Sequence, residues 1–264
     1  MAFIRLKTNQ PRLILNLKHA FTPYSMLGEL LQNARRAGAR SLQIEADDDS
    51  ITVIDDGSGI ADLQSLIHIA ESGWDEDLQR RENAFGMGIL STLYFSENLF
   101  VHSGEQAFDA RTADIIAGEA IEVLAEEPRT GTQIRLGGVK TSQMAFELPD
   151  WVQRQLASLC EAFPVPVSFN GIEIPRPLAA PSLPWRDTSV GQVLIDLGAS
   201  QQHWCCFLQG LPIGDQTWPG KKHIVLLRDD MIARLPDRQR LLYEQAEKPH
   251  IQEAVNIAMR EALA

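Results

Sequence analysis

The sequence predicts an α+β protein of two domains that join near residue 140, with residues 1–140 in the first domain and residues 141–264 in the second. Segments with helical and with strand periodicity alternate along the chain. The composition also changes after Gly137-Gly138, since six of the 14 prolines lie between Pro164 and Pro184. A chain of 264 residues that is 44% hydrophobic can bury an ordinary core and is not compositionally disordered.

The first half begins with a helix that the sequence marks at both ends. Thr22-Pro23 is typical of an N-cap followed by proline in the first turn, and Gly38 is typical of a C-terminal stop. Residues 41–46 alternate like a half-buried strand, and an aspartate-rich turn separates them from a strand at 51–54. The other elements predicted in this half are helices at 61–70 and 89–95, a polar loop at 72–81, and strands at 99–102, 113–116, 121–124 and 133–136.

The second half is predicted to contain a hairpin between two helices. Asn170-Gly171, inside an apolar segment, is a strong signal for a two-residue hairpin turn. The other predicted elements are helices at 151–163 and 249–263 and strands at 192–197, 204–209 and 223–227.

The charge balance argues against nucleic acids and membranes as partners. The chain has 24 Lys and Arg against 35 Asp and Glu, a net charge of −11, whereas nucleic-acid binding needs a basic field, global or local. No apolar segment approaches the roughly 20 residues that span a bilayer. The basic residues of the first apolar stretch, among them Arg5 and Lys7, do not fit a signal peptide. With three cysteines, two of them adjacent, the sequence predicts a cytoplasmic protein without a disulfide framework or zinc site.

Four short motifs attract attention, although each has an ordinary explanation when taken alone. Glu29 and Asn33 share one face of the first helix, where they are more simply surface polar residues. Asp55-Asp56-Gly57-Ser58-Gly59 follows a strand, as an ordinary Asp/Gly turn would. Phe85-Gly86-Met87-Gly88 leads into a helix, where free backbone N–H groups can bind phosphate. Thr130-Gly131-Thr132 opens a strand, as a hairpin end would.

The order and spacing of these motifs resemble those of the GHKL ATPase superfamily. That superfamily includes gyrase B, the ninety-kilodalton heat-shock chaperone, histidine kinases, MutL and the MORC proteins. The segment Ala84-Phe85-Gly86-Met87-Gly88-Ile89-Leu90-Ser91-Thr92 looks most like the heat-shock and MORC branches. The resemblance covers residues 27–136, about half of the chain. It implies a two-layer α/β sandwich that holds ATP under a mobile lid, here residues 72–84.

The resemblance also implies a role for each matching residue. Glu29 would be the general base that activates the attacking water, and Asn33 would bind Mg²⁺. Asp55 would accept a hydrogen bond from the adenine amine. The remaining positions implied to bind the nucleotide are Gly57, Gly59, Ile60, Phe85, Gly86, Met87, Gly88 and Thr132. The lid departs from the family pattern because it contains no lysine. Arg36 lies on the same face of the first helix as Glu29, which predicts a cation near that carboxylate.

The second half resembles a degenerate transducer domain, which in this superfamily delivers a lysine or arginine to the γ-phosphate. The cations that could serve here, or could be solvated surface charges, are Lys221, Lys222, Arg234 and Arg238. The first twenty residues are either a strap that exchanges between two copies or an edge strand of the chain's own sheet. Too few residues precede the first predicted helix for the phosphoacceptor hairpin of a histidine kinase.

Three functions remain open from the sequence. The first is a slow, Mg²⁺-dependent ATPase that acts as a conformational clamp or chaperone-like switch, closing its lid and dimerising on ATP binding. The second is a nucleotide-sensing module with little or no turnover that signals through a partner. The third is an interaction protein whose motifs match by chance. Glu29 favours the first over the second, because a sensor needs no base. The client is not indicated, and the chain could be a fragment of a longer protein.

Overall fold

The computed structural model describes residues 10–68, 88–140, 146–214, 216–234 and 237–264. The fold is α+β, as predicted, with two β-sheets and, in these ranges, six α-helices. The helices are α1 (Gln10–Leu17), α2 (Pro23–Arg36), α3 (Ile89–Phe95), α4 (Thr112–Ala117), α5 (Leu148–Leu159) and α6 (Glu244–Leu263).

The first sheet has six strands and one apolar core. Its strands are β1 (Leu42–Ala46), β2 (Ser50–Asp55), β3 (Asn98–Arg111), β4 (Leu124–Gly137), β5 (Val167–Phe169) and β6 (Ile172–Glu173). Their order is β3-β4-β2-β1-β5-β6, and all neighbours are antiparallel except β1 and β5. Alternate residues of β1 and β2, such as Ile44 and Val53, are buried in one core with the apolar faces of α2, α3 and α5.

The predicted hairpin at Asn170-Gly171 is confirmed, and it belongs to this first sheet. Both residues have positive φ angles, 46° and 80°, as the turn requires, and the hairpin joins β5 to β6. The sheet therefore takes its last two strands, and its core takes α5, from beyond residue 140. The domain boundary near residue 140 stays a prediction, and residues 141–145 lie outside the described ranges.

The second sheet has five strands and lies against the last helix. Its strands are β7 (Arg186–Thr188), β8 (Gly191–Leu194), β9 (Trp204–Leu208), β10 (Leu211–Ile213) and β11 (His223–Leu227). Their order is β10-β9-β11-β8-β7, with β9 and β11 parallel. Val193 and Val225 share a core with Ile251 and Val255 of α6. That helix begins at Glu244, five residues before the predicted start at Pro249, which lies inside it.

The start of α2 is confirmed in atomic detail. Ser25 N–H donates to Thr22 Oγ1 at 3.0 Å, and Thr22 N–H donates to Ser25 Oγ at 2.9 Å. This reciprocal capping box satisfies donors that a helix leaves unpaired at its first turn. Gly38 follows the helix with φ +71°, as expected for a C-terminal stop.

The strand predicted at 113–116 is wrong, because these residues form the helix α4. Thr112 Oγ1 donates to Ser96 O at 2.8 Å at the start of this helix. Gly118, with φ +81°, ends it, and the Gly118 N–H donates to Ile115 O at 3.1 Å. The strand predicted at 121–124 is also wrong apart from Leu124, where β4 begins.

Two other predictions need correction. In the described part of 61–70, only Leu63–Leu66 is helical, as a 3-10 turn that the side chain of Asp62 caps. Residues 10–17, predicted as part of a strap or an edge strand, form the amphipathic helix α1, so that the edge-strand alternative is wrong for them. Ile14 is buried, and its backbone oxygen accepts a hydrogen bond from the Tyr94 hydroxyl. Residues 1–9 lie outside the described ranges, and the strap stays a prediction.

Candidate functional site

We call the six-stranded sheet with α1 to α5 the first unit, and the five-stranded sheet with α6 and the connections between its elements the second unit. The buried carboxylate of Glu29, on α2, lies where the two units meet. Only 7% of the Glu29 surface is exposed, although the residue is charged. It contacts Gly88, the residue before α3. A Cβ atom built on Gly88 would lie 3.0 Å from Glu29 Cδ, so this approach requires glycine. Arg238 Nε lies 3.8 Å from Glu29 Oε1.

Asn33 lies one turn after Glu29, as predicted, and is half-buried. Its Oδ1 accepts a hydrogen bond of 3.5 Å from Arg36 Nη1. Arg36 was expected as a cation near Glu29. The structure shows an ion pair between Glu29 and Arg238 of the second unit, which the sequence suggested either as a phosphate ligand or as a solvated surface charge.

Asp55 lies at the end of β2, and backbone groups hold its side chain. Gly57 N–H donates to Asp55 Oδ1 at 2.8 Å. Burial raises the pKa of Asp55 above its ordinary value, and backbone hydrogen bonds from Gly57 and Thr132 offset part of that rise. A carboxylate with these features remains a strong acceptor for a donor such as an amine.

Hydrogen bonds join the glycine-rich turn after Asp55 to the end of α2 and to β3. Ser58 N–H donates to Ala37 O at 2.8 Å, which ties the turn to the end of α2. Gly59 has φ +75°, and a Cβ atom there would lie 2.9 Å from Ser103 Oγ, so that only glycine fits without strain. Ile60 N–H donates to the same Ser103 Oγ at 2.7 Å.

Ser103 connects this turn to the predicted nucleotide residue of β4, and the motif search did not find it. Its hydroxyl lies 3.4 Å from Thr132 Oγ1 and donates to Gly131 O at 3.1 Å. Ser103 is 2% exposed. The signal was present in the sequence, because Ser103 follows Leu99 and Val101 at alternate positions of one strand and so shares their buried face.

Arg129 was also missed. Burial lowers the pKa of Arg129, and the nearby charge of Asp55 acts in the opposite direction. Its Nη1 donates to Gln133 Oε1 at 2.6 Å. Nothing in the residue pattern before Thr130-Gly131 distinguishes this arginine from a solvated surface charge.

The predicted residues that the structure describes fall into two clusters. One holds Glu29 and Gly88, with Asn33 one helical turn away. The other holds the base-binding candidates, which are Asp55, Gly57, Gly59, Ile60 and Thr132. Phe85, Gly86 and Met87 lie outside the described residues, as do the predicted lid at 72–84 and its arginines.

The predicted γ-phosphate cations differ in their surroundings. Lys221 has a side chain 68% exposed and lies 3.8 Å from Asp196, and Arg234 is exposed. Arg238, by contrast, has a side chain only 13% exposed, and it contacts Glu29. Lys222 is half-buried. Among the four candidate cations, Arg238 is therefore the one that the described contacts connect to Glu29.

Across the described parts of the chain, none of the helices combines the length and the apolar character needed to cross a lipid bilayer. Comparison with curated proteins gives no match.

Comparison with family models agrees with the resemblance in the sequence. Residues 21–130 match the model described as "Histidine kinase-, DNA gyrase B-, and HSP90-like ATPase". The matched segment is less than half of the chain, and it contains α2, the turn after β2, and β3. The match does not distinguish the heat-shock and MORC branches from the others. It supports the GHKL superfamily for residues 21–130 and, with it, ATP binding by this part of the chain.

Proposed function

We propose that this protein is a slow, Mg²⁺-dependent ATPase that acts as a conformational clamp. The observation that carries the proposal is the buried carboxylate of Glu29, on α2 beside Gly88, in a segment that matches an ATPase family model. Burying a charged carboxylate is costly, which supports a functional role for Glu29 beside its ion pair with Arg238.

Glu29 is the proposed general base. Its carboxylate accepts a hydrogen bond from a water molecule, orients it towards the terminal phosphate, and takes its proton at a carboxylate oxygen. Contacts with Gly88 and with Arg238 limit the directions in which this carboxylate can turn. Orientation is the main contribution that a protein makes to phosphoryl transfer.

Asp55 and its neighbours are the proposed adenine site. The Asp55 carboxylate accepts from the exocyclic amine of the base, and Thr132 and Ser103 supply hydroxyl groups beside it. Gly57 and Gly59 occupy places where a Cβ atom would collide with Ala37 and with Ser103, so glycine at both positions lets the turn pack closely beside Asp55. Gly86 and Gly88, with the N–H groups beside them, are the proposed phosphate contacts.

The residues present also fit a magnesium ion. Mg²⁺ prefers oxygen ligands and usually takes only one or two from the protein, and Asn33 Oδ1, one turn after Glu29, is such an oxygen. When bound, the ion would neutralise charge on the phosphates. Asn33 therefore holds the metal in the proposed mechanism, while Glu29 handles the proton.

Closure of the predicted lid and self-association on ATP binding form the output of the clamp in this proposal. The protein would act in the cytoplasm on a client that its sequence does not indicate. The alternative is a sensor that binds ATP with little or no turnover and signals the bound state through a partner. The retained carboxylate at position 29 favours turnover.

The test is Mg²⁺-ATP hydrolysis by the purified chain, with Glu29→Gln and Asp55→Asn beside it. We expect Glu29→Gln to bind ATP but to lower kcat by at least about a hundredfold, and Asp55→Asn to lose ATP binding. Exposed carboxylates of β1 and of the turn that follows it supply matched controls, Glu45→Gln and Asp48→Asn, which should leave both measurements unchanged. ATP binding with no hydrolysis in any preparation would favour the sensor, and no binding at all would contradict both functions.

A further inference from the structure

The ion pair between Glu29 and Arg238 joins the two units of the fold at the proposed base. Arg238 lies in the connection between β11 and α6, and its Nε is 3.8 Å from Glu29 Oε1. The two side chains are only 13% and 9% exposed. Exposed ion pairs contribute little because water screens them, whereas a pair this buried leaves a costly unpaired charge when one partner is removed.

Arg238 is itself held in place by the second sheet. Its Nη2 donates to Gln209 Oε1 at 3.2 Å. Gln209 follows β9, and its own side-chain amide donates to Asp229 O at 3.2 Å. Both Arg238 and Gln209 have positive φ angles, 54° and 55°, which non-glycine residues adopt only where the surrounding structure requires them.

Gln209 also contacts α2 directly, through a second residue of that helix. Gln32 Nε2, one turn from Glu29 on the same helix, donates to Gln209 O at 3.4 Å. The contacts therefore form a closed path through buried or half-buried side chains, from Glu29 to Arg238, to Gln209, to Gln32 and back along α2. A cavity of about 40 Å³ lies beside this path, lined by Glu29 and Arg238 among others.

We propose that Arg238 is a positioning residue for Glu29, so that the second unit determines where the carboxylate of the base stands. This inference rests on the proposed function of Glu29 but differs from the phosphate role considered for Arg238, because it acts on the base and needs no nucleotide. The carboxylate also lies against Gly88, at the place where a side chain on that residue would stand. A shift of the second unit then moves the base, which couples the position of that unit to hydrolysis.

The first arm of the test measures the ion pair by itself, in the full chain without nucleotide. Thermal unfolding is compared for wild type, Glu29→Gln, Arg238→Gln and the double variant. Each single variant should lower the Tm by about 3 °C or more, since it removes the attraction between two buried, oppositely charged side chains, and the double variant should lower it no further than the larger single effect. Arg240→Gln removes an exposed charge two residues away and should not change the Tm.

The second arm measures catalysis. Arg238→Gln should lower kcat by about tenfold or more, as expected for a displaced base, while the Kd for ATP stays within about twofold of wild type. Arg238→Lys, which keeps the charge, should recover part of both the Tm and kcat. Should Arg238→Gln fail to fold, Arg238→Lys and its double variant with Glu29→Gln replace it in the thermal comparison.

Two results would overturn the inference. One is additive losses of Tm in the double variant, which would mean that the two side chains do not interact. The other is a Kd raised for ATP but not for ADP with kcat unchanged, as a contact with the terminal phosphate alone would give. If wild type binds ATP without hydrolysing it, the proposed function fails, and the thermal comparison still decides whether Arg238 holds Glu29.

Discussion

At several positions of the site, close contacts decide which residue type fits, whereas backbone conformational preference does not. Gly88 is the clearest case. Its backbone angles, φ −61° and ψ −37°, suit any residue. A side chain there would nevertheless collide with the Glu29 carboxylate. Gly28, next to Glu29 on α2, has ordinary space around it, since its nearest side-chain atom to a built Cβ is 3.6 Å away.

We therefore expect opposite results from two alanine substitutions. Gly88→Ala should leave the chain folded but displace the carboxylate and lower kcat by about tenfold or more. Gly28→Ala should retain kcat and raise the free energy of unfolding by up to about 1 kcal/mol, because alanine favours a helix. Steady-state hydrolysis and urea unfolding measure both effects. Equal loss of kcat in the two variants would mean that Gly88 has no special relation to Glu29.

The Asp55 carboxylate, which is proposed to bind adenine, should lower the free energy of unfolding at neutral pH. Burial raises the pKa of Asp55 in the folded chain. The folded state is therefore favoured while this carboxyl group is protonated, and that contribution to the free energy of unfolding is lost as the pH rises through the raised pKa. Asp55→Asn should therefore be more stable than wild type at neutral pH, and this difference should shrink as the pH falls towards about 4. Urea unfolding across this range, with exposed Asp48→Asn as the control, measures it. A variant less stable than wild type at neutral pH would contradict the expected sign.

At the scale of elements, α2 matters most because it carries both Glu29 and Asn33. Its position depends on the capping box at Thr22. A Gln239 side chain from the second unit also lies 3.4 Å from Thr22 Oγ1.

Thr22→Ala should lower the free energy of unfolding by about 1 kcal/mol, because Ser25 N–H loses its acceptor at the helix start. Thr22→Ser keeps the hydroxyl and should stay close to wild type. Urea unfolding monitored by circular dichroism distinguishes the two. If serine is as destabilising as alanine, the threonine contributes through its methyl group and not through the cap.

Elements were predictable where a local signal specifies them. Thr22-Pro23 and Asn170-Gly171 were correct because caps and tight turns depend on the residues that form them. Residues 113–116 were misread as a strand, because a short apolar segment fits either structure and its helix depends on Gly118 and on contact with Ser96. The 3-10 turn at Leu63–Leu66 was predicted as a longer helix for the same reason.

At the scale of the whole molecule, the first sheet needs chain from beyond residue 140. β5 pairs in parallel with β1, and α5 contributes Leu148, Val152 and Leu156 to the first core. A chain of residues 1–180 should therefore unfold cooperatively, whereas residues 1–140 should not. Thermal circular dichroism measures this. Cooperative unfolding of residues 1–140 would support the boundary predicted near residue 140.

The sequence by itself determined the ATPase motifs, the α+β class, and the caps and turns at element ends, since each depends on residues close together in the chain. It also indicated Glu29, Asn33 and Asp55 by spacing and resemblance. Only the tertiary structure decided that Ser103 completes the cluster around Thr132 and that Arg238 contacts Glu29. Glu29 and Arg238 are 209 residues apart in the sequence. Only the packing of the two units brings their side chains together, so no local sequence pattern could have predicted this ion pair.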